Sequence, residues 1–208
     1  MIEWLFLIVI LIFSAIIHEV AHGAMANYLG DPTAKYAGRL TFNPLKHLDP
    51  IGSVILPIFL VLMARLTGAG IIFGWAKPVP INPFNFRDRK YGSAKVALAG
   101  PCSNLLVALV FGSILRFFPA VSVFPALVFI FSYIVYINIL LAVFNLLPFP
   151  PLDGSHILFT FLPTAAERIK IFLSQFGIFI LFFIIFFYFN WILFIIQFIF
   201  RLIVGAPF

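Results

Sequence analysis

Residues 15–25 read AIIHEVAHGAM, which sets His18, Glu19 and His22 inside an apolar run. Four residues is just over one helical turn, so His18 and His22 share one face of a helix. Two imidazoles so spaced can bind one zinc at about 2.0–2.1 Å each. Glu19 stands about 100° round from His18, near enough to act on a metal-bound water without being a ligand. Zinc brings such a water to a pKa of about 7, so hydroxide is available at neutral pH. The competing reading is a pair of histidines packed against ordinary partners in a helical bundle. Ionisable groups at membrane depth are expensive and mark function by default, which favours the metal site.

Two histidines leave a catalytic zinc short of its usual three protein ligands. The candidates for the third are His47, His156, Glu167 and the four aspartates. Asp31, Asp49 and Asp88 fall in polar loop sequence, where a solvated or capping carboxylate is the ordinary reading. His47 reads as an interfacial loop residue, and His156 as either a competing ligand or a histidine at a helix start. Asp153 differs, because it follows an apolar span within NLLPFPPLDGSHI. Pro148, Pro150 and Pro151 prevent regular helix there, and Gly154 permits a tight turn. Broken backbone at membrane depth is tolerated only where protein buries it or it lines a wet cavity. Cys102, with no base suggested beside it, reads as a small packing residue.

The surroundings of these residues follow from composition. The chain has 208 residues, 63% hydrophobic and 10% charged, with a mean hydropathy of +1.16. Soluble domains are about half apolar, and here the excess lies in runs that approach or exceed the roughly 20 residues needed to cross a bilayer. The net charge of +6 therefore indicates membrane orientation and not nucleic acid. Lys35, Arg39, Lys46, Arg65, Lys77, Arg87, Arg89, Lys90 and Lys95 all lie between the first long apolar run and the next, which makes that stretch cytoplasmic. Glu3 stands where a signal peptide would carry basic residues, so the N-terminal run reads as a retained transmembrane helix.

These features predict an all-α polytopic membrane protein with about 5–6 transmembrane helices and a small cytoplasmic or re-entrant loop region. A first helix is expected over about 3–29, ended by Gly30, Asp31 and Pro32. Tyr36–Phe42 alternates weakly and predicts a short strand or β-hairpin, with an edge that substrate could pair with. Residues 51–66 are apolar for only about 16 positions and carry Pro57, which fits a short span or a re-entrant segment. Helices are expected over about 93–118 and 122–147. Residues 169–204 are too long for one span and fit a helical hairpin or one span with an interfacial piece. The chain is expected to form a single membrane-embedded domain over 1–208, with its core at about 3–160. Trp4–Leu29 measures about 39 Å at about 1.5 Å per residue, which puts His18 inside the bilayer, nearer the basic loop.

HEVAH on the first span, AGPCSN opening a later one and NLLPFPPLDGSHI further on together resemble the site-2 proteases, which are intramembrane zinc metalloproteases. The resemblance spans about 18–156 and is to the short forms, with no sequence for a PDZ or CBS domain. It implies His18, His22 and Asp153 as ligands of one Zn2+ per chain, and Glu19 as the base that activates water. Asn145 matches a family asparagine associated with substrate handling. Gly100 and Asn104 match a G-x-x-x-N pattern and are expected at the substrate pocket, although small residues in that run would also serve close helix packing. The implied activity is hydrolysis of peptide bonds in transmembrane segments of single-pass membrane proteins, as in regulated intramembrane proteolysis. The implied location is the cell membrane, multi-pass, with the zinc site in the bilayer nearer the cytoplasmic side. Two other readings of the same residues are a metal transporter and a scaffold without catalysis. The position of Glu19 in HExxH suits water activation and not ligation, and the complete HEVAH and LDG motifs argue against a scaffold.

Overall fold

A computed structural model of the chain describes residues 2–47, 77–206 and 208, together with 49, 55, 59 and 63. The expected span or re-entrant segment at 51–66 lies almost entirely outside these residues. The described chain is all helical. α1 is Ile2–Tyr28, α2 is Thr33–Tyr36, α3 is Gly92–Phe117, α4 is Pro125–Asn145, α5 is Asp153–Phe161 and α6 is Glu167–Val204. α1 (from Phe6), α3, α4 and α6 are long and apolar enough to cross a membrane.

Local chemistry sets the ends of these helices. Gly30 has φ 107°, and its N–H donates to Asn27 O at 3.2 Å while Asp31 N–H reaches Ala26 O at 2.9 Å. This is a Schellman closure, which satisfies carbonyls that the end of α1 would otherwise leave bare. Pro125 opens α4 at a position where a missing N–H costs nothing. Gly205, at φ 87°, closes α6.

Two expectations are corrected. Residues 169–204 form no hairpin, because α6 runs unbroken for 38 residues, or about 57 Å at about 1.5 Å per residue. After Gly177 the run contains neither glycine nor proline until Gly205, so nothing turns the chain. Asn190 stays within the helix as an exposed residue. The hydrocarbon core is only about 30 Å thick, so part of α6 extends beyond it or tilts within it. Its outer face carries exposed Phe179, Phe182, Phe186 and Phe194, as a lipid-facing surface should. The second correction concerns Tyr36–Phe42. Among the described residues there is no strand. Tyr36 ends α2, Gly38 turns the chain at φ 62°, and Arg39 is drawn inward to donate from Nη2 to Lys77 O at 2.8 Å and Pro78 O at 3.2 Å. A seven-residue alternation is too short a signal to outweigh a turn glycine and a buried guanidinium.

α3 is the central element, packed against α1, α4, α5 and α6. Its buried face is largely small (Ala94, Ala97, Gly100, Ala108), which lets neighbouring backbones approach closely. Away from the site, Val135, Ile139, Ile192, Ile196 and Phe200 close a core with Ala108. At one end of the bundle Arg116 Nη1 donates to Leu202 O at 2.6 Å, joining the last turns of α3 and α6. At the other end Tyr91 and Phe161 approach to 6.1 Å between ring centroids, so α5 returns to the level where α3 begins.

Asp31 organises the loop at that second end. Expected as either a solvated or a capping carboxylate, it is fully buried and takes the N–H of Thr33 at the start of α2. Its carboxylate accepts from Asn82 N at 2.7 Å, Asn85 Nδ2 at 2.8 Å and the N–H and hydroxyl of Thr33. Burial pushes its pKa up, but the donors from Thr33, Asn82 and Asn85 together outweigh that and hold it below the ordinary 3.8. A carboxyl with a lowered folded pKa stabilises the fold above its unfolded pKa and loses that contribution as pH falls through the folded value. Asp31→Ala is therefore expected to cost about 3 kcal/mol near neutral pH. The deficit relative to wild type should shrink only on acidification below about pH 4. Thermal unfolding of both proteins at pH 7 and pH 3 measures it, and an equal deficit at the two values would refute the carboxylate's role.

Candidate metal centre

α1 presents His18 and His22 one turn apart, both buried (7% and 6% exposed). α5 delivers Asp153 at its first position, immediately after the proline-rich turn that follows α4. His18 Nε2 lies 3.0 Å from Asp153 Oδ2, His22 Nε2 lies 3.1 Å from the same oxygen, and the two Nε2 atoms are 3.0 Å apart. Among the described residues these three form the cluster able to hold a metal ion.

The donor set fits zinc. His18 Nδ1–H donates to Asn104 Oδ1 at 2.6 Å, and His22 Nδ1–H donates to Val96 O at 2.7 Å. Each neutral imidazole thereby spends its single proton away from the centre. Two nitrogen lone pairs and a carboxylate oxygen are left facing one another, an arrangement that repels itself until a cation enters. The floor beneath is shaped for close approach. A Cβ on Gly100 would stand 2.5 Å from His22 Nε2 and 2.6 Å from His18 Nε2, so only glycine lets α3 pass here. Gly154 has the same purpose at the other wall, since a Cβ there would collide with the carbonyls of Leu146 and Leu147. One residue along α3 from Gly100, Pro101 lacks an N–H and so gives the Ala97 carbonyl, next to Val96, no i→i−4 donor.

Glu19 is half-buried on the wall of a cleft of about 440 Å³, whose lining also includes Val79, Phe86, Asn145 and His156. One carboxylate oxygen, Oε2, accepts from Val79 N–H at 2.9 Å. The extended segment carrying Val79 is itself held by the Arg39 guanidinium on Lys77 O and Pro78 O and by the Asp31 carboxylate on Asn82 N. Asn145, on the cleft lining, donates from Nδ2 to Leu141 O at 3.0 Å.

The remaining candidates separate cleanly. His156 is exposed at the rim of the cleft and lies outside the ligand cluster. His47 lies in the loop that follows α2 and is buried there, with Nε2 donating to Thr41 O at 2.8 Å. Asp88 pairs with Lys95 at 2.6 Å, and Glu167 with Lys170 at 3.9 Å. Gly100 and Asn104 do not line the cleft; they lie behind the two histidines, one as floor and the other as hydrogen-bond acceptor. Sequence reasoning missed Asn138, which is fully buried and bonded to Asn104. Its signal was present as a lone amide in the apolar run IVYINILLAVF.

Comparison with known proteins agrees with this chemistry. The model of peptidase family M50 matches residues 121–184. Three similar proteins each carry the name "Putative zinc metalloprotease". YwhC of Bacillus subtilis is 37% identical over 187 residues, covering 87% of this chain and 80% of that protein. Rip2 of Mycolicibacterium smegmatis is 34% identical over 143 residues, covering 68% of this chain and about half of Rip2, 51%. MJ0611 of Methanocaldococcus jannaschii is 41% identical over 66 residues, covering 32% of this chain and 33% of that protein. No solved structure gives a significant match.

Proposed function

The chain belongs to peptidase family M50, and from that premise we propose that it is an intramembrane zinc endopeptidase of the site-2 type, cutting transmembrane segments of single-pass membrane proteins. The observation that carries this reading is the convergence of His18 Nε2, His22 Nε2 and Asp153 Oδ2 within 3.1 Å, with both Nδ1 protons committed elsewhere.

His18, His22 and Asp153 would hold one Zn2+, and the chemistry it would supply when bound is polarisation of the scissile carbonyl and acidification of water. Glu19 takes the proton of the attacking water and passes it to the leaving amine. Among the described residues, Val79 N–H is the donor to Glu19 and it reaches Oε2, which leaves the other carboxylate oxygen to receive that proton. Asn145 holds the substrate backbone through its Oδ1, beside the nucleophile. A helical substrate hides its carbonyls in its own hydrogen bonds and must unwind locally before any of these groups can reach them. The metal-transporter reading gives Glu19 no task, whereas its place on the cleft wall suits general-base work.

The test is metal removal. Chelation of zinc from the purified protein should stop cleavage of a transmembrane substrate, and one equivalent of zinc should restore it. Helix-breaking glycine or proline near the scissile bond should speed the restored reaction, because unwinding then costs less. Cleavage that persists after zinc has been stripped would sink the metalloprotease reading.

The site also has a side. Among the described residues, Arg116 and Arg201 are the cations at the end of the bundle where α3 and α6 finish. Lys35, Arg39, Lys46, Lys77, Arg87, Arg89, Lys90, Lys95, Arg168 and Lys170 belong to the opposite end. His18 lies ten residues, or about 15 Å, from the end of α1 at that basic face. By the positive-inside rule this face is cytoplasmic, in the cell membrane, and the zinc site lies in the bilayer nearer to it. Cysteines placed at Lys46 and Arg89 in a Cys102→Ser background are expected to resist an impermeant thiol reagent in intact cells. Labelling of both would reverse the orientation.

A further inference from the structure

Behind His18, on the side away from Asp153, three polar side chains from three helices meet in an apolar interior. Ser14, Asn104 and Asn138 are 4%, 0% and 0% exposed. Asn104 Oδ1 accepts from His18 Nδ1 at 2.6 Å, while its Nδ2 donates to Asn138 Oδ1 at 2.8 Å and Ser14 O at 3.2 Å. Asn138 Nδ2 in turn donates to Ser14 Oγ at 2.9 Å and to Ile134 O at 2.8 Å.

We propose that Asn138 is a positioning residue for the metal centre, which acts through Asn104 to hold His18 as the tautomer with Nε2 unprotonated. The two ends of an amide are nearly equal in size, so shape alone does not fix which end of Asn104 faces His18. Hydrogen-bond polarity does. Were Asn104 reversed, its NH2 would face His18 Nδ1, which would then have to be the acceptor. The ring proton would move to Nε2, the atom that faces His22 and Asp153. Against that reversal stand two acceptors aimed at Asn104 Nδ2, namely Asn138 Oδ1 and the Ser14 carbonyl. Asn138 cannot reverse either, because its own NH2 is held by the carbonyl of Ile134, which can only accept. The sense of the whole relay is thus anchored on backbone carbonyls of α1 and α4 and read out at His18. Hydrogen bonding at the far nitrogen of a ligating imidazole commonly fixes its tautomer, and loss of such a partner costs about 10–100-fold in metal affinity.

This inference rests on the zinc-site reading above, and its test uses metal affinity, not activity. Zinc dissociation constants are measured by chelator competition on the purified full-length protein, alongside thermal stability of the metal-free form. Asn138→Leu, nearly isosteric, removes the shorter of the two bonds that oppose reversal of Asn104, leaving only the Ser14 carbonyl at 3.2 Å, and should weaken zinc by about 10–100-fold. Asn138→Asp keeps an acceptor against Asn104 Nδ2, so zinc affinity should stay within about threefold of wild type even though a buried carboxyl lowers stability. Plain packing demands the opposite order, with Leu tolerated and Asp harmful to both quantities. Should Asn138→Asp fail to fold, the double variant Asn104→Leu/Asn138→Leu decides the matter. It should bind zinc no worse than Asn104→Leu alone, because Asn138 acts only through Asn104. Wild-type affinity in folded Asn138→Leu, or additive losses in the double variant, would overturn the positioning role and leave the metalloprotease reading intact. A wild-type protein that binds no zinc would overturn both.

Discussion

Glu19→Gln is expected to keep its zinc and to lose about 10²–10⁴-fold or more in turnover, the range set by a single general base. Glutamine preserves the length of the side chain and can still accept the Val79 N–H, which Glu19 Oε2 accepts at 2.9 Å. The extended segment and the cleft wall should therefore survive. What glutamine cannot do is take a proton from water. Metal analysis of the purified variant and the initial cleavage rate of a transmembrane substrate separate the two properties. Cleavage at the wild-type rate would remove Glu19 from the chemistry, whatever the metal content. The same variant, used as an inactive reference in membrane-proteome comparison, should reveal substrates as proteins that accumulate uncut.

Asp153→Ala is expected to lose both metal and activity. The carboxylate contributes the oxygen that lies 3.0 Å from His18 Nε2 and 3.1 Å from His22 Nε2. Without it two imidazoles remain, and zinc affinity should fall by at least about 100-fold, the upper end of what outer partners of ligands contribute. Chelator competition measures the affinity, and the cleavage assay should show no turnover at stoichiometric zinc. A retained affinity would make His156, exposed on the rim of the cleft, the third ligand in its place. The contrast between the two variants is the informative quantity, since one separates chemistry from binding and the other removes both.

The histidine pair was legible because its spacing is a property of one helix, independent of everything that packs against it. Asp153 was legible for a different reason, as a carboxylate in a stretch where three prolines forbid helix at membrane depth. Other features needed the fold. Asp31 read as a solvated or capping carboxylate because its loop is polar, and its partners Asn82 and Asn85 are 51 and 54 residues away, beyond the reach of that local reading. Asn104 was expected at the substrate pocket, and it became a support for His18 only once α3 was laid against α1. The Val79 N–H on Glu19 is a backbone donor, and no residue type announces it. The length of α6 was misjudged because a bilayer's thickness bounds the part of a helix inside it, not the helix itself.

The side chains that meet at the candidate metal centre come from positions 18 and 153, separated by 135 residues, and the acceptor for His18 Nδ1 follows it by 86. A ribosome adds about 5–20 residues each second. For roughly ten seconds, then, the first helix exists without the carboxylate that completes its chemistry. During that interval the half-made chain carries His18, Glu19 and His22 without Asp153. Asn104 and Asn138, the amides behind His18, are made before Asp153, so on the proposed reading the metal centre is completed last, after its supports.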